Sequence, residues 1–161
     1  MGTLRVDRDS FAEAPQLEDL SLSALGAVTL MPDALTGLTT LARLELEFCG
    51  LICIPTSLTA LSGSLTSLAM PYNNEMQLTK SDVTTLLALQ KLQTLELQKA
   101  PMEAVVNNAT TALVTAQLHY HPALWSPRSL QHLVALPNMF LAQHGHALAL
   151  RVYCDDDMDD A

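Results

Sequence analysis

Residues 41–61 read LARLELEFCGLICIPTSLTAL, which reduces to the pattern LxxLxLxxCxLxxIPxxLxxL. In its first part, Leu44 and Leu46 alternate with polar residues, so both side chains would lie on one face of a short β-strand. A single strand cannot bury that apolar face alone. The stretch therefore predicts neighbouring strands of the same kind.

The LxxLxL part of this pattern recurs along the chain. Its copies begin at Leu17, Leu41, Leu65 and Leu92, at a nearly constant spacing, and a weaker fifth copy begins at Leu113. Such a period predicts a solenoid in which parallel strands stack side by side and the return segments supply apolar side chains from the other side.

The pattern of residues 41–61 resembles the leucine-rich-repeat family, and its IP spacing is nearer the intracellular Ras-group-like repeats than the plant receptor type. The resemblance covers residues 17 to about 118. It implies an α/β fold: a right-handed solenoid, or horseshoe arc, of short parallel strands with about five to six repeats and a C-terminal helix/strand cap. The family also implies that the concave sheet binds a protein.

Four segments follow from this interpretation. Residues 1–16 form an N-terminal cap or truncated repeat, 17–123 the repeats, 124–153 the C-terminal cap and 154–161 an acidic tail. Leu4 and Val6 provide a poor cap, so uncapped ends of the solenoid predict homo-oligomer formation.

The inward positions of the first four copies define the predicted core. These residues are Leu20, Leu22, Leu44, Leu46, Leu68, Met70, Leu95 and Leu97. At the ninth position of a copy, a small polar or thiol side chain is needed to satisfy backbone groups as the chain leaves the strand. Cys49 and Asn73 meet that requirement, whereas Leu25 and Ala100 do not.

The return segments differ in the structure that they predict. Residues 83–90, preceded by Ser81 or Asp82 as N-cap, indicate a helix, while the shorter, proline-marked returns indicate extended or 3₁₀ structure. In the cap, Ser126 and Pro127 would begin a helix that Pro137 ends. A strand with Leu148, Leu150 and Val152 would follow.

The eighth position carries the residues that we predict to bind a partner. Phe48, Tyr72 and Tyr120 occupy this position in three copies, and exposed neighbouring aromatics are typical of binding hot spots. The alternative is that the rings fold over the end of the strands and cover the core. The remaining predicted concave-face residues are Arg43, Glu45, Glu47, Glu96, Lys99 and His119. The glutamates favour a partner with a basic surface.

Composition excludes several classes of protein. Eight basic and 17 acidic residues give a net charge of −9, opposite to the footprint of a nucleic-acid-binding surface. No apolar stretch is long enough to span a membrane, and the first residues lack the apolar core of a signal peptide. The odd set Cys49, Cys53 and Cys154 favours reduced thiols and a cytoplasmic location, with the cytoskeleton or a ciliary axoneme as the alternative.

The sequence contains no phosphate-binding loop, nucleophile elbow, HExxH or dinucleotide fingerprint, so we expect no enzyme and no cofactor. We also expect no metal site. The alternative is a zinc site drawn from His119, His121, His132, His144, His146 and Cys154. The predicted function is that of a non-catalytic protein-protein interaction scaffold. The alternatives are a structural component of a larger assembly and a fragment of a regulatory or immune receptor.

Overall fold

The computed structural model describes residues 2–23, 26–73, 75–97, 102–106 and 127–154. These parts of the chain form an α/β structure with parallel strands. The strands are β1 (Thr3–Val6), β2 (Asp19–Ser23), β3 (Ala27–Leu30), β4 (Arg43–Glu47), β5 (Ser67–Ala69), β6 (Thr94–Glu96), β7 (Met102–Val106) and β8 (Ala149–Cys154). The helices are α1 (Lys80–Leu87), α2 (Pro127–His144) and a 3₁₀ helix (Thr56–Leu61).

Four of the predicted strands lie side by side in one sheet, in the order β2, β4, β5, β6. All three pairings are parallel, and Leu44 is the register partner of both Leu20 and Leu68. Leu68 in turn pairs with Leu95. The register therefore aligns equivalent positions of successive copies of the pattern, which confirms the predicted parallel stacking of these copies.

The next position in the sheet differs from the prediction. β8 pairs in parallel with β6, so that Leu150 lies opposite Leu95, and β7 pairs antiparallel with the other side of β8. β5 and β8 thus occupy both sides of β6. Leu148 and Leu150 are buried and supply the same apolar alternation as a copy of the pattern. Residues 113–118 lie outside the described residues.

A separate two-stranded sheet joins the N-terminus to the first return segment. β1 pairs in parallel with β3, as Thr3 to Ala27 and Val6 to Leu30, with the same sequence offset that relates β2 to β4. The N-terminal residues therefore form part of the return side of the fold. The first return is extended and the second contains the 3₁₀ helix, as the sequence predicted.

The core lies between the six-stranded sheet and the return segments. Six of the eight predicted core residues are buried: Leu44, Leu46, Leu68, Met70, Leu95 and Leu97. The prediction is wrong for Leu20 and Leu22, which are only partly buried against the core. They belong to β2 at the edge of the sheet, where no described strand covers their outer side.

Helix α1 begins one turn earlier than predicted, because Thr79 rather than Ser81 or Asp82 is the N-cap. Thr79 and Asp82 form a reciprocal capping box in which each side chain accepts from the other's backbone N–H. Asp82 is buried and also accepts from the backbone N–H of Ile54 at 2.9 Å. The cap of one return segment thereby fixes the preceding one.

The prediction that Pro137 ends the C-terminal helix is wrong. Helix α2 runs to His144 and contains Pro137 in its interior. Leu133, Leu136 and Phe140 follow one another at helical spacing, and all three are fully buried. Their packing against the core outweighs the hydrogen bond that the proline cannot donate. The predicted N-cap, Ser126, lies outside the described residues.

Candidate functional site

The accessible side of the six-stranded sheet is the surface on which the sequence placed a binding site. Strands β4, β5 and β6 alternate between buried residues and residues that reach the surface. We call the surface formed by these alternate positions the open face. Its described members are Asp19, Ser21, Ser23, Arg43, Glu45, Glu47, Ser67, Ala69, Thr94 and Glu96.

Two neighbouring strands are cross-linked on the open face by an ion pair. Arg43 donates from Nε and Nη2 to the two carboxylate oxygens of Asp19, with 2.8 Å between Nη2 and Oδ2. The hydrogen bond to Asp19, followed by the attraction of its charge, raises the pKa of Arg43 above its ordinary value. Both side chains are more than half exposed, so the pair orients Arg43 more than it stabilises the fold.

A second cross-strand contact lies beside this pair. The Ser21 hydroxyl donates to Oε2 of Glu45 over 2.9 Å. A shallow groove of about 390 Å³ runs across this part of the open face. It is lined by Asp19, Leu20, Ser21, Arg43, Leu44, Glu45, Ser67 and Ala69. The small residues of β5, Ser67 and Ala69, form its far side, and the pattern of leucines alone does not predict this groove.

The aromatic residues predicted to form a hot spot are in direct contact. The rings of Phe48 and Tyr72 are stacked, with centroids 4.4 Å apart and planes 2° from parallel. Phe48 remains 40% exposed, and Tyr72 is partly exposed. The pair is therefore accessible at the end of strands β4 and β5. The exposed part of Phe48 favours the binding interpretation over the alternative, in which the rings cover the core.

Both aromatic residues adopt a backbone conformation that residues other than glycine rarely adopt. Phe48 has φ of 50° and Tyr72 has φ of 59°. The left-handed conformation costs about 1–2 kcal/mol for each L-residue. Residues held in such conformations persist only where the surrounding structure fixes them, and they cluster at functional sites.

Asn73 supplies the contacts that fix this turn. Its side chain is buried, and Oδ1 accepts from the backbone N–H groups of Cys49 and Leu51, each at 3.1 Å. Nδ2 donates to the carbonyls of Leu46 at 2.8 Å and Met70 at 3.0 Å. One amide thus holds the ends of two neighbouring strands together directly beneath the aromatic pair. This confirms the inward role predicted for Asn73.

Cys49 is fully buried at the equivalent position of the preceding copy, as predicted. Its thiol contacts the carbonyls of Leu22 at 3.4 Å and Glu47 at 3.3 Å. Burial, and next the nearby charge of Glu47, raises the pKa of the Cys49 thiol. For Cys53, which is exposed, partial desolvation and the charge of Asp82 raise the pKa as well. Neither environment favours the nucleophilic thiolate.

The remaining predicted binding residues fall into two groups. Glu47 and Glu96 lie on the open face, so acidic side chains outnumber basic ones among its described members. Lys99, His119 and Tyr120 lie outside the described residues. Phe48 directly follows Glu47, the last residue of β4, and its ring stacks on Tyr72.

Two histidines of the C-terminal region, His144 and His146, make structural contacts. Nε2 of His144 lies 2.6 Å from the carbonyl of Leu87, and Nε2 of His146 lies 2.9 Å from that of Leu92. Both rings also meet the Phe140 ring edge-on. These contacts tie the end of α2 to α1 and to the turn before β6. Within the described ranges, no group of three or more His, Cys, Asp or Glu residues could hold a metal ion.

Comparisons with models of protein families, with curated proteins and with solved structures each found no match to this chain. In the described part of the chain, no helix has the length and apolar character required to cross a membrane. The geometry of the open face is therefore the basis on which a function is proposed.

Proposed function

We propose that this chain is a leucine-rich-repeat solenoid that serves as a non-catalytic scaffold and binds a partner protein on the open face of its sheet. Neighbouring strands have the same sequence offset in the six-stranded sheet and on the return side. This supports the solenoid, because in stacked repeats every segment of one repeat pairs with the equivalent segment of the next. The open face then corresponds to the concave surface of a horseshoe.

The observation that carries this proposal is the Phe48–Tyr72 pair. Two aromatic rings are stacked at 4.4 Å, accessible, and held on left-handed backbone by a buried amide. Association normally requires side chains to be ordered at a cost of about 0.5–1.5 kcal/mol each. Rings that are already ordered avoid much of that cost, which suits them as anchors of an interface.

The charges around the pair define the chemistry of the partner. Arg43 is neutralised by Asp19, while Glu45 and Glu47 stand on the strand that leads into Phe48. A lysine or arginine of the partner would find carboxylates beside it and an aromatic face within reach. We therefore infer that the partner presents a basic residue next to an apolar one.

The proposed cellular location rests on two cysteines. Cys49 and Cys53 are free thiols, which suits a reducing compartment. The cytoplasm is the location proposed, and no cofactor enters the proposed function.

A capture experiment tests the proposal. The tagged full chain and its Phe48→Ala/Tyr72→Ala variant would be incubated with cell lysate, and bound proteins would be identified by mass spectrometry. The matched control is Met139→Ala/Leu141→Ala, which removes two side chains that are 40% and 52% exposed on helix α2. Circular dichroism and urea unfolding establish that all three proteins are folded.

The expected result is a partner that binds the wild type and the α2 variant but not the aromatic variant. With that partner purified, the association rate should fall as sodium chloride rises, because attraction between opposite charges is screened. Retention of every partner by the aromatic variant would contradict the proposal and favour a structural role in an assembly.

A further inference from the structure

The outer edge of β2 lies away from the open face and has no strand beside it among the described residues. The backbone N–H of Arg43 donates to the carbonyl of Glu18 at 3.0 Å, which shows the direction of the hydrogen bonds between β4 and β2. The backbone N–H and C=O groups of successive residues point to opposite edges of a strand, so those of Asp19, Ser21 and Ser23 point away from β4. This edge therefore presents donors and acceptors to a further strand.

The apolar side chains of β2 are also less buried than their equivalents in the next strand. Leu20 and Leu22 are partly exposed, whereas their register partners Leu44 and Leu46 are 2% and 0% exposed. The two pairs hold equivalent positions in the sequence pattern. A strand on the outer side with apolar residues opposite Leu20 and Leu22 would bury them to the same degree.

The strand pairing on the return side indicates what could lie beside β2. β1 lies against β3 with the offset of one copy, and the other side of β3 faces the next copy through the Val28 N–H, which donates to the carbonyl of Cys49 at 2.8 Å. β1 thus fills the layer beyond β3, while the matching place beyond β2 has no described strand. Among the described residues, the space beside β2 therefore matches one extended segment.

Charge indicates what kind of segment this would be. The stretch from residue 7 to residue 18, which leads into β2, carries Asp7, Asp9, Glu13 and Glu18 against Arg8, and all of these residues are exposed. An acidic approach to the edge favours a segment with basic side chains.

We propose that the outer edge of β2 binds one extended segment of a partner protein by parallel strand addition. The segment carries apolar residues at alternate positions, which cover Leu20 and Leu22, and lysine or arginine at the positions between them. Backbone hydrogen bonds to residues 19, 21 and 23 provide the pairing, and the alternate side chains provide selectivity. This surface is separate from the Phe48–Tyr72 pair and goes beyond the function proposed above.

The probe is a fluorescein-labelled peptide with the sequence of residues 42–48 that carries Glu45→Lys and Glu47→Lys. β4 already pairs with one side of β2 through this sequence, and the lysines add the complementary charge. Binding to the full chain would be measured by fluorescence anisotropy. A second peptide that also carries Leu44→Ser and Leu46→Ser tests the need for the apolar residues. We expect saturable binding of the first peptide and none of the second.

Two substitutions at one residue separate pairing from side-chain effects. Ser21→Pro removes the central outward N–H, whereas Ser21→Ala keeps it; both lose the hydroxyl that donates to Glu45. Proline is tolerated on an edge strand when its missing N–H faces outward. Ser21→Pro should weaken peptide binding by about tenfold or more, and Ser21→Ala by less than about twofold. Phe48→Ala/Tyr72→Ala should bind the peptide as the wild type does.

Amide hydrogen exchange followed by NMR provides a measurement that does not depend on any variant. The N–H groups of Ser21 and Ser23 should exchange freely in the protein alone and become protected when the peptide is added. Protection already present without peptide would overturn the proposal, because the chain itself would then fill the edge. Absence of saturable binding would overturn it too, as would concentration-dependent dimerisation that Ser21→Pro abolishes, since the occupant would then be a second copy.

Discussion

Replacing Asn73 with alanine should destabilise the protein more than any surface substitution. The change removes five hydrogen bonds at once: those with the N–H groups of Cys49 and Leu51, those with the carbonyls of Leu46 and Met70, and a longer one with the carbonyl of Pro71. A hydrogen bond contributes about 1 kcal/mol net, and the groups left behind are buried. We therefore expect a loss of about 3–4 kcal/mol in the free energy of unfolding.

Urea unfolding followed by circular dichroism measures this loss. With a slope of about 1–3 kcal/mol per molar urea, the midpoint should fall by about 1–4 M while the slope stays unchanged. Asn138→Ala is the matched control, because Asn138 is exposed on α2 and its replacement should change stability by less than about 0.5 kcal/mol. A cost below about 1 kcal/mol for Asn73→Ala would refute the reasoning, since water would then have replaced the amide without loss.

Three further predictions concern stability and use the same urea measurement. Leu44→Ala should cost about 2–5 kcal/mol because Leu44 is 2% exposed, and Leu20→Ala should cost clearly less because Leu20 is partly exposed; equal costs would contradict the assignment of β2 to the edge. Ser57→Ala should leave stability unchanged or raise it by up to about 1 kcal/mol, because the buried Ser57 hydroxyl has no hydrogen-bond partner among the described residues; a marked loss would reveal one. Thr79→Ala should cost about 0.5–2 kcal/mol through loss of the helix cap, and no change would show that α1 is fixed by packing alone.

The parallel strands could be predicted from sequence because their signal is periodic and local. Each copy of the pattern places leucines on the same face, and stacking at a constant offset is the arrangement that buries them all. For this reason the register of β2, β4, β5 and β6 followed from the positions of the leucines alone. The inward positions of Cys49 and Asn73 followed from the same offset.

The features that the sequence did not predict depend on competition between distant segments. Residues 113–118 and 148–150 both alternate apolar residues, and no local rule decides which of them pairs with β6. Pro137 is a helix breaker by local preference, yet the buried Leu136 and Phe140 continue the helix past it. The shortfall in burial of Leu20 arises because β2 stands at the edge of the sheet, a property of its neighbours rather than of its own sequence.

At the candidate site, too, some features could be predicted from the sequence and others could not. Phe48 and Tyr72 could be placed side by side because they hold the same position in successive copies and are separated by the offset that β4 and β5 share. Their left-handed backbone could not be predicted, since neither is a residue that favours it. The hydrogen bonds of Asn73, which cross from one strand to the next, hold the residues on either side of Phe48.

The aromatic pair and the Asn73 amide should contribute differently to stability and to partner binding. Two left-handed residues cost about 2–4 kcal/mol together, a strain comparable to the contribution of the Asn73 contacts. The stability of the turn therefore resides in the buried amide, while the accessible rings above it add a stacking contribution of about 0.5–1.5 kcal/mol. Phe48→Ala/Tyr72→Ala should accordingly abolish partner binding with a smaller loss of stability than Asn73→Ala. If instead the aromatic variant were the less stable of the two, the rings would be holding the turn together, and their accessibility would no longer indicate a binding site.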